Sequence, residues 1–376
     1  MQIKEESMAD EKEVMFGSEL VSEREGYRSA KEKLVIEGSR GPAVYTRKPR
    51  TFVKGLESGT YNLNEVRAKQ LATVPRVWTP RLGGEAQFGE RGIMDPGQEP
   101  YRSQSLHVHF RTVAPGSRNE GHGHQNEAMF YILEGHGWEE HDGKEYPWAK
   151  GDTVAVNNDC VHWHCNGSKT DIGHSIVFKA KPMWLFMGLM QQGEIGYKPD
   201  DLERRGPRIQ WQVGRREEDL GLKKVLKPED TAWNWTPHGY MRKIAGAGVP
   251  LRIKATTAFL QEIPGGSRSG KRWMMGDQAV YFLEGSGYSL HWDVAAEIDD
   301  QYYGRVALEP TRWEWNKGDV MWVPQNTVFQ HFNSSPDRPA RFITAYNTAF
   351  EWMGYQEVDQ ENCPEWDAQK ATSGVR

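Results

Sequence analysis

The strongest constraint on the fold is that the chain spells one pattern twice. AMFYILEGHG, residues 128–137, returns as AVYFLEGSG at residues 279–287. AKGDTVAVNND, residues 149–159, returns as NKGDVMWVPQN at residues 316–326. A repeat of about 150 residues means tandem copies of one domain, each with its own core. Within the copies the runs are short, apolar or alternating, and punctuated by Gly, Pro, Asn and Asp: SLHVHFRTVAPG, WEEHDGKEYPW, DTVAVNNDC and DIGHSIVFKAKP in the first. Short strands at such spacing indicate a sandwich or barrel. The expected fold class is all-β, with two tandem β-domains and short helical arms.

A chain of 376 residues suits two such domains. The expected division is an N-terminal arm over 1–75, a first β-domain over 76–190, a linker over 191–245, a second β-domain over 246–350 and a polar tail over 351–376. In the arm, Ser22–Leu34 and residues 60–75 read as helices, the second stopped by Pro75. Leu185–Gly193 reads as a helix closing the first domain. The polar, partly basic linker contains Arg204, Arg205, Arg215 and Arg216.

With 47 basic and 52 acidic residues the formal charge is −5, which argues against a nucleic-acid partner. Cys160, Cys165 and Cys363 make an odd count without a disulfide framework, as expected of a cytoplasmic protein. The N-terminus carries no apolar core of the kind a secretory signal needs, and no run of about 18 apolar residues is present. No membrane association is therefore expected.

The chemistry concentrates in Pro115–Gly135, PGSRNEGHGHQNEAMFYILEG. His122 and His124 stand two apart, and positions i and i+2 of a strand share a face. Both imidazoles can therefore enter one cavity. Further on, GDTVAVNNDCVHWHCN (Gly151–Asn166) supplies His162 and His164 at the same spacing.

These two stretches resemble the paired motifs of the cupin superfamily, PG…HxH…EG followed by GDxxxVxxxxxxH. The duplication resembles a bicupin: two double-stranded β-helix (jelly-roll) domains, matched over roughly Arg102–Phe178 and Leu251–Asn347. Asn157 stands where the motif usually has Pro and Asp159 where it has Gly. By the resemblance, His162 is the third metal ligand after His122 and His124. The motif's usual glutamate place holds Ala128, and Glu127 is one residue off, on the other strand face. The expected site is thus three histidines, with Glu127 and Asn166 as acceptors that fix the imidazole tautomers.

Three histidines with Ala128 in the glutamate place and a second HxH at His162–His164 resemble the gentisate 1,2-dioxygenase group, with its relatives acting on 1-hydroxy-2-naphthoate and salicylate. The resemblance implies Fe(II), O2 and a small aromatic substrate, with Mn, Zn or Ni as alternative metals. It also implies that His164 is a catalytic residue near the substrate and not a ligand, and that the chain forms a homodimer or homotetramer. That group places an arginine six residues after the second histidine, where this chain has Phe130. Arg111, on the face of His107 and His109, and Arg81 are the alternative substrate anchors. Phe130 and Trp163 complete the candidate substrate residues, although a regular strand turns Trp163 away from the metal.

In the second copy the ligand places hold Arg272, Met274 and Phe329, and only His331, matching His164, remains. Without clustered donors a divalent ion has little reason to bind there. The expected function is an Fe(II)-dependent ring-cleaving dioxygenase acting on a phenolic acid or related phenol. The alternatives are a non-oxidative metal enzyme (decarboxylase, isomerase or lyase) and a non-catalytic binding bicupin.

Overall fold

The computed structural model describes residues 34–35, 46–47, 71–80, 88–94, 102–186, 192–198, 201–208, 221–355 and 358–373. A small ribbon of β1 (Leu34–Val35) and β2 (Thr46–Arg47) comes first, followed by β3 (Val77–Trp78) and β4 (Phe88–Met94). The first β-domain runs through β5 (His107–Val113), β6 (His122–His124), β7 (Ala128–Glu134), β8 (His136–His141), β9 (Lys144–Ala149), β10 (Thr153–Val156), β11 (Cys160–Asn166) and β12 (Gly173–Lys179). Helix α1 (Lys181–Phe186), β13 (Gln192–Glu194) and β14 (Val225–Leu226) lead to the second. That domain comprises β15 (Asn234–Thr236), β16 (Gly239–Ala245), β17 (Thr256–Ile263), β18 (Lys271–Met274), β19 (Gln278–Glu284), β20 (Ser286–Ile298), β21 (Tyr302–Val306), β22 (Thr311–Asn316), β23 (Val320–Val323), β24 (Thr327–Asn333) and β25 (Ala340–Asn347). Helix α2 (Ala349–Trp352), β26 (Val358–Glu361) and helix α3 (Pro364–Ser373) end the described chain.

Each domain is two antiparallel sheets. In the first the orders are β14-β10-β7-β12-β5-β4 and β13-β6-β11-β8-β9. In the second they are β15-β16-β17-β25-β19-β23-β3 and β21-β20-β24-β18-β26. The repeat in sequence is therefore a repeat in topology. Among the described residues no helix is long and apolar enough to cross a membrane.

The unbroken apolar run of β7 has a structural reason. Ala128, Phe130 and Ile132 face the interior of the first barrel with Trp148, Val154, Val156 and Val177. Met129 faces outward, into a second core shared with Leu260, Ala279, Trp322 and Ile343 of the other domain. The larger sheets of the two domains thus pack face to face, so both strand faces are buried and alternation disappears. The glycine of the repeated EGxG has an equally local cause. A Cβ on Gly137 would lie 2.0 Å from the Cys165 carbonyl oxygen, and one on Gly287 the same distance from that of Phe332.

Several expectations are corrected here. The segment expected as a linker over 191–245 supplies β13 and β14 to the first domain's sheets and β15 and β16 to the second's. The expected tail over 351–376 contributes β26, paired to β18, and α3. Short edge strands that pair with distant partners carry too little periodicity to be read locally. The helix ending the first domain starts earlier than expected, at Lys181, and residues 187–191 lie outside the described residues. So do 22–33 and 60–70, where helices were expected, and Arg81; residues 71–73 are helical.

The two halves also exchange parts. β3, from before the first domain, pairs with β23 of the second, and β14 pairs with β10 of the first. Arg76 enters the second barrel with β3, its Nη1 3.1 Å from His291 Nδ1 and its Nη2 donating to Asp293 at 3.1 Å.

Candidate metal centre

Strand register brings the histidines together. β11 lies between β6 and β8, with His162 opposite His122 on one side and opposite His141 on the other. His164 is opposite Glu139. Even-numbered positions of β6 and β11 and odd-numbered positions of β8 share the inner face, so the row is set by pleat alone. Ring centroids are 4.2 Å apart for His122–His162, 4.8 Å for His124–His162 and 5.2 Å for His162–His164. His162 is fully buried, His124 and His164 nearly so, and His122 is half-buried.

A group of ligand atoms able to hold a metal ion is formed by His122, His162 and His164, one nitrogen from each lying within 4.8 Å of the others. His124 adjoins it through His162. Two nitrogens on one ion are at most about 4 Å apart, twice a bond of about 2.1 Å. The three rings must therefore draw in to share a single ion.

Every one of the four Nδ1 atoms is turned to an oxygen. His124 Nδ1 lies 2.7 Å from the Asn126 carbonyl, His122 Nδ1 3.2 Å from that of Glu120 and His162 Nδ1 3.2 Å from that of Cys160. His164 Nδ1 lies 2.6 Å from Glu139 Oε2. A carbonyl only accepts, so in His124 and His162 Nδ1 carries the proton and Nε2 keeps its lone pair, whereas His122 Nδ1 stands between the Glu120 carbonyl and the Asn119 amide donor, which do not fix its tautomer. Among the described residues the buried Nε2 of His162 has no hydrogen-bond partner. Such an orphan fits a metal ligand better than a core residue. Burial also pushes the imidazoles of His124, His162 and His164 well below the usual range, with Lys179, His124 and Arg111 respectively adding to it. They are neutral at neutral pH, as ligation requires.

Asn119 organises the near side. Its Oδ1 accepts the His164 backbone N–H at 2.6 Å and its Nδ2 faces His122 Nδ1 at 3.1 Å. The sequence reading missed Asn119, Glu139 and His141. The alternation in WEEHDG was the available signal, since Glu139 and His141 are two apart like the histidine pairs. Burial pushes the Glu139 carboxyl well above the usual range, against the pull of Arg111, and holds His141 down at about 3, with Lys224 adding to it.

A small cavity beside His164 is lined also by Arg111, Phe130, Glu139, Trp148 and His174, while His122, His124 and His162 do not line it. The Phe130 ring is 4.9 Å from that of His164. Arg111 and Phe130 are therefore brought to the site. Trp163 is not: it lines a separate surface groove with Arg118, Gly121 and Ile195, because it occupies the opposite face of β11. Nor do the two expected tautomer-fixing acceptors stand behind a histidine. Asn166 donates to the carbonyls of Val113 and Asp171 and accepts from Ser168, tying the end of β11 to its loop. Glu127 accepts from Arg252 Nη1 at 2.8 Å and from the N–H groups of Lys254 and Ala255 at 2.7 and 2.8 Å. Its one-residue offset turns it outward, toward the other domain. Asp159, in the glycine place, has φ +58°, and its counterpart Asn326 has +55°. This left-handed conformation suits Gly and is tolerated by Asp and Asn. Cys160, Cys165 and Cys363 are buried and form no disulfide among the described residues, and burial pushes the Cys165 thiol up to about 11, so it stays protonated.

The second barrel repeats the frame without the donors. Arg272 lies opposite Phe329, its guanidinium 5.0 Å from the ring. Ser289 takes the Glu139 place and bonds His331 Nδ1 at 2.6 Å. Burial, aided by Arg272, holds His331 down at about 3. An unfolded histidine titrates near 6.5, so the unfolded chain takes up a proton first as pH falls. The resulting stability is complete above about pH 6.5 and is lost as pH falls toward 3. At pH 5 the loss from this one group is about 2 kcal/mol. Urea unfolding at pH 7 and pH 5 should show a smaller drop for His331→Gln than for wild type, by about that amount.

Comparison with known proteins follows this geometry. Residues 109–172 match the family model described as Cupin domain. Salicylate 1,2-dioxygenase from Pseudaminobacter salicylatoxidans superposes with a TM-score of 0.50 at 15% identity, covering 76% of this chain and 88% of that one. Adducts of that enzyme with gentisate superpose at 0.50 and 14% identity, covering 89% of each chain. The coconut allergen cocosin superposes at 0.53 and 14% identity, covering 73% of this chain and 86% of that one. No curated protein matches the sequence. At such identities the likeness is one of fold.

Proposed function

We propose that the chain is a bicupin whose first domain is an Fe(II)-dependent dioxygenase that cleaves the ring of a phenolic acid or related phenol. The observation that carries the reading is the convergence of His122, His124 and His162, with the Nδ1 atoms of His124 and His162 tied to carbonyls and a cavity beside His164 lined by Arg111 and Phe130. Fold alone does not carry it, since a coconut allergen shares the fold.

Imidazoles suit iron, zinc, copper and nickel alike, and Fe(II) is preferred here for the chemistry it supplies: it lets an aromatic ring and O2 react at one centre. Three neutral ligands leave its charge uncompensated, which favours an anionic phenolate or carboxylate. The protein's own part is orientation and exclusion of water. Phe130 presents a flat apolar face to the substrate ring. Arg111 faces the substrate's carboxylate. His164 lies between Phe130 and Glu139, on the wall against which the phenol would sit. Both oxygen atoms of O2 enter the product as one ring carbon–carbon bond breaks.

The buried Glu139 carboxyl, pushed well above the usual carboxylate range by burial, also favours a second reading, a metal-dependent decarboxylase or lyase working by proton transfer without O2. An O2-uptake screen with the Fe(II)-reconstituted protein across phenolic acids and catechols separates the two. Uptake dependent on added Fe(II) is expected, and anaerobic turnover supports the second reading. Arg111→Gln should lower kcat/KM by roughly 10–100-fold for a phenolic acid, the worth of one charged hydrogen bond, and leave a carboxylate-free catechol nearly unaffected.

A further inference from the structure

We infer that His164 is a fourth ligand of the metal centre, held on it by the Glu139 carboxylate. This rests on the metal-centre reading and goes beyond it, because the resemblance assigns His164 to the substrate side and assigns Glu139 nothing.

Three observations carry it. First, the group of ligand atoms close enough to hold one ion includes His164 alongside His122 and His162. Its ring centroid is 5.2 Å from that of His162 and 5.8 Å from that of His122, comparable with the 5.8 Å between His122 and His124. Second, its Nδ1 is only 2.6 Å from Glu139 Oε2, in a site where both side chains are 3% exposed. The two atoms are in contact without the alignment of a hydrogen bond; were Nδ1–H to turn onto this carboxyl oxygen, Nε2 would be left as the lone-pair donor. This carboxylate–histidine pairing is the usual device for orienting a metal-bound imidazole. Third, His164 cannot easily turn away. Its backbone N–H is bound by Asn119 Oδ1 at 2.6 Å, and the Phe130 ring lies 4.9 Å from the imidazole on the cavity side.

Nothing comparable exists at the counterpart His331. There a serine replaces the carboxylate and arginine, methionine and phenylalanine replace the other ligands. The carboxylate at residue 139 thus accompanies the metal donors and is absent where they are absent. With four imidazoles, an octahedral ion keeps two open positions instead of three. A substrate that chelates through two oxygens would then need His164 to leave before a third partner binds. Glu139 is a positioning residue in this scheme: it acts through His164 and touches neither metal nor substrate.

The test is Co(II) titration of the metal-free full-length protein, read by visible absorption, for wild type, His164→Ala and Glu139→Gln. Thermal melts of the metal-free forms establish that each variant is folded. Four-histidine ligation predicts a Co(II) affinity at least about 10-fold lower in His164→Ala, with changed d–d bands because the ligand set has changed. It predicts an affinity about 10–100-fold lower in Glu139→Gln with the wild-type bands, since the ligands remain. Should His164→Ala fail to fold, the Glu139→Gln affinity alone decides. Wild-type affinity and bands in both variants would overturn the inference while leaving a three-histidine centre intact. Failure of the wild-type protein to bind Co(II) would overturn the metal-centre reading and this inference with it.

Discussion

Replacing His162 with alanine should abolish metal binding and O2 uptake together while leaving the metal-free protein as stable as wild type. His162 occupies the middle strand of three and is the histidine nearest to both His122 and His124. Losing it removes the donor that holds the group together. The loss of activity should therefore exceed the roughly 10–100-fold typical of an outer-shell partner. The stability half is the less obvious one. In the metal-free protein His162 Nε2 is buried without a hydrogen-bond partner among the described residues, a cost of about 1–3 kcal/mol. Alanine removes that cost and adds one for the cavity left behind, so the two offset. A residue kept for packing would behave in the opposite way, with a large loss of stability and unchanged metal content. Metal analysis by mass spectrometry, O2-electrode traces and thermal melts of the metal-free forms separate the cases.

Replacing Glu127 with alanine should destabilise the protein by about 3–5 kcal/mol and leave its metal content unchanged. The carboxylate is 6% exposed and holds Arg252, itself 12% exposed, together with two backbone N–H groups of the second domain. Removing one side of a buried pair leaves the other to bear its desolvation. The second copy makes the reciprocal contact. Asp277, at the place matching Glu127, accepts the Gln104 N–H at 2.9 Å and the Ser105 hydroxyl in the first domain. The acid after the first motif therefore locks the two halves together, once in each direction. Urea unfolding of Glu127→Ala and Asp277→Ala should show losses of similar size. Loss of metal from Glu127→Ala, without loss of stability, would instead place Glu127 at the metal.

Much of this was legible in the sequence, for physical reasons that differ from residue to residue. The repeat and the strand punctuation gave the two β-domains, because turns need particular residues wherever they occur. The i, i+2 spacing put His122 with His124 and His162 with His164 on shared faces, since the pleat leaves no alternative. The same rule, applied to Phe130 and Ala128, put them on the inner wall, where they are. It also turned Trp163 outward, against its assignment to the substrate. What stayed hidden depended on partners distant in sequence. No local pattern says that residues 225–226 pair with 153–154, or that Glu127 meets Arg252. Asn166 looked suited to a histidine but spends its amide on its own loop. Glu139 carried a usable signal in WEEH. Its alternation alone does not separate the inward Glu139 from its neighbour Glu140, which has an exposed partner in Arg118 at 3.6 Å.

The central claim is that this histidine cluster uses O2 to open an aromatic ring. It is tested most directly by supplying 18O2 to the Fe(II)-reconstituted protein with whichever phenolic acid it consumes, and weighing the product. The account predicts one O2 consumed per substrate and a ring-opened product heavier by two 18O atoms. Turnover of the same substrate without O2, or a product free of 18O, would contradict it.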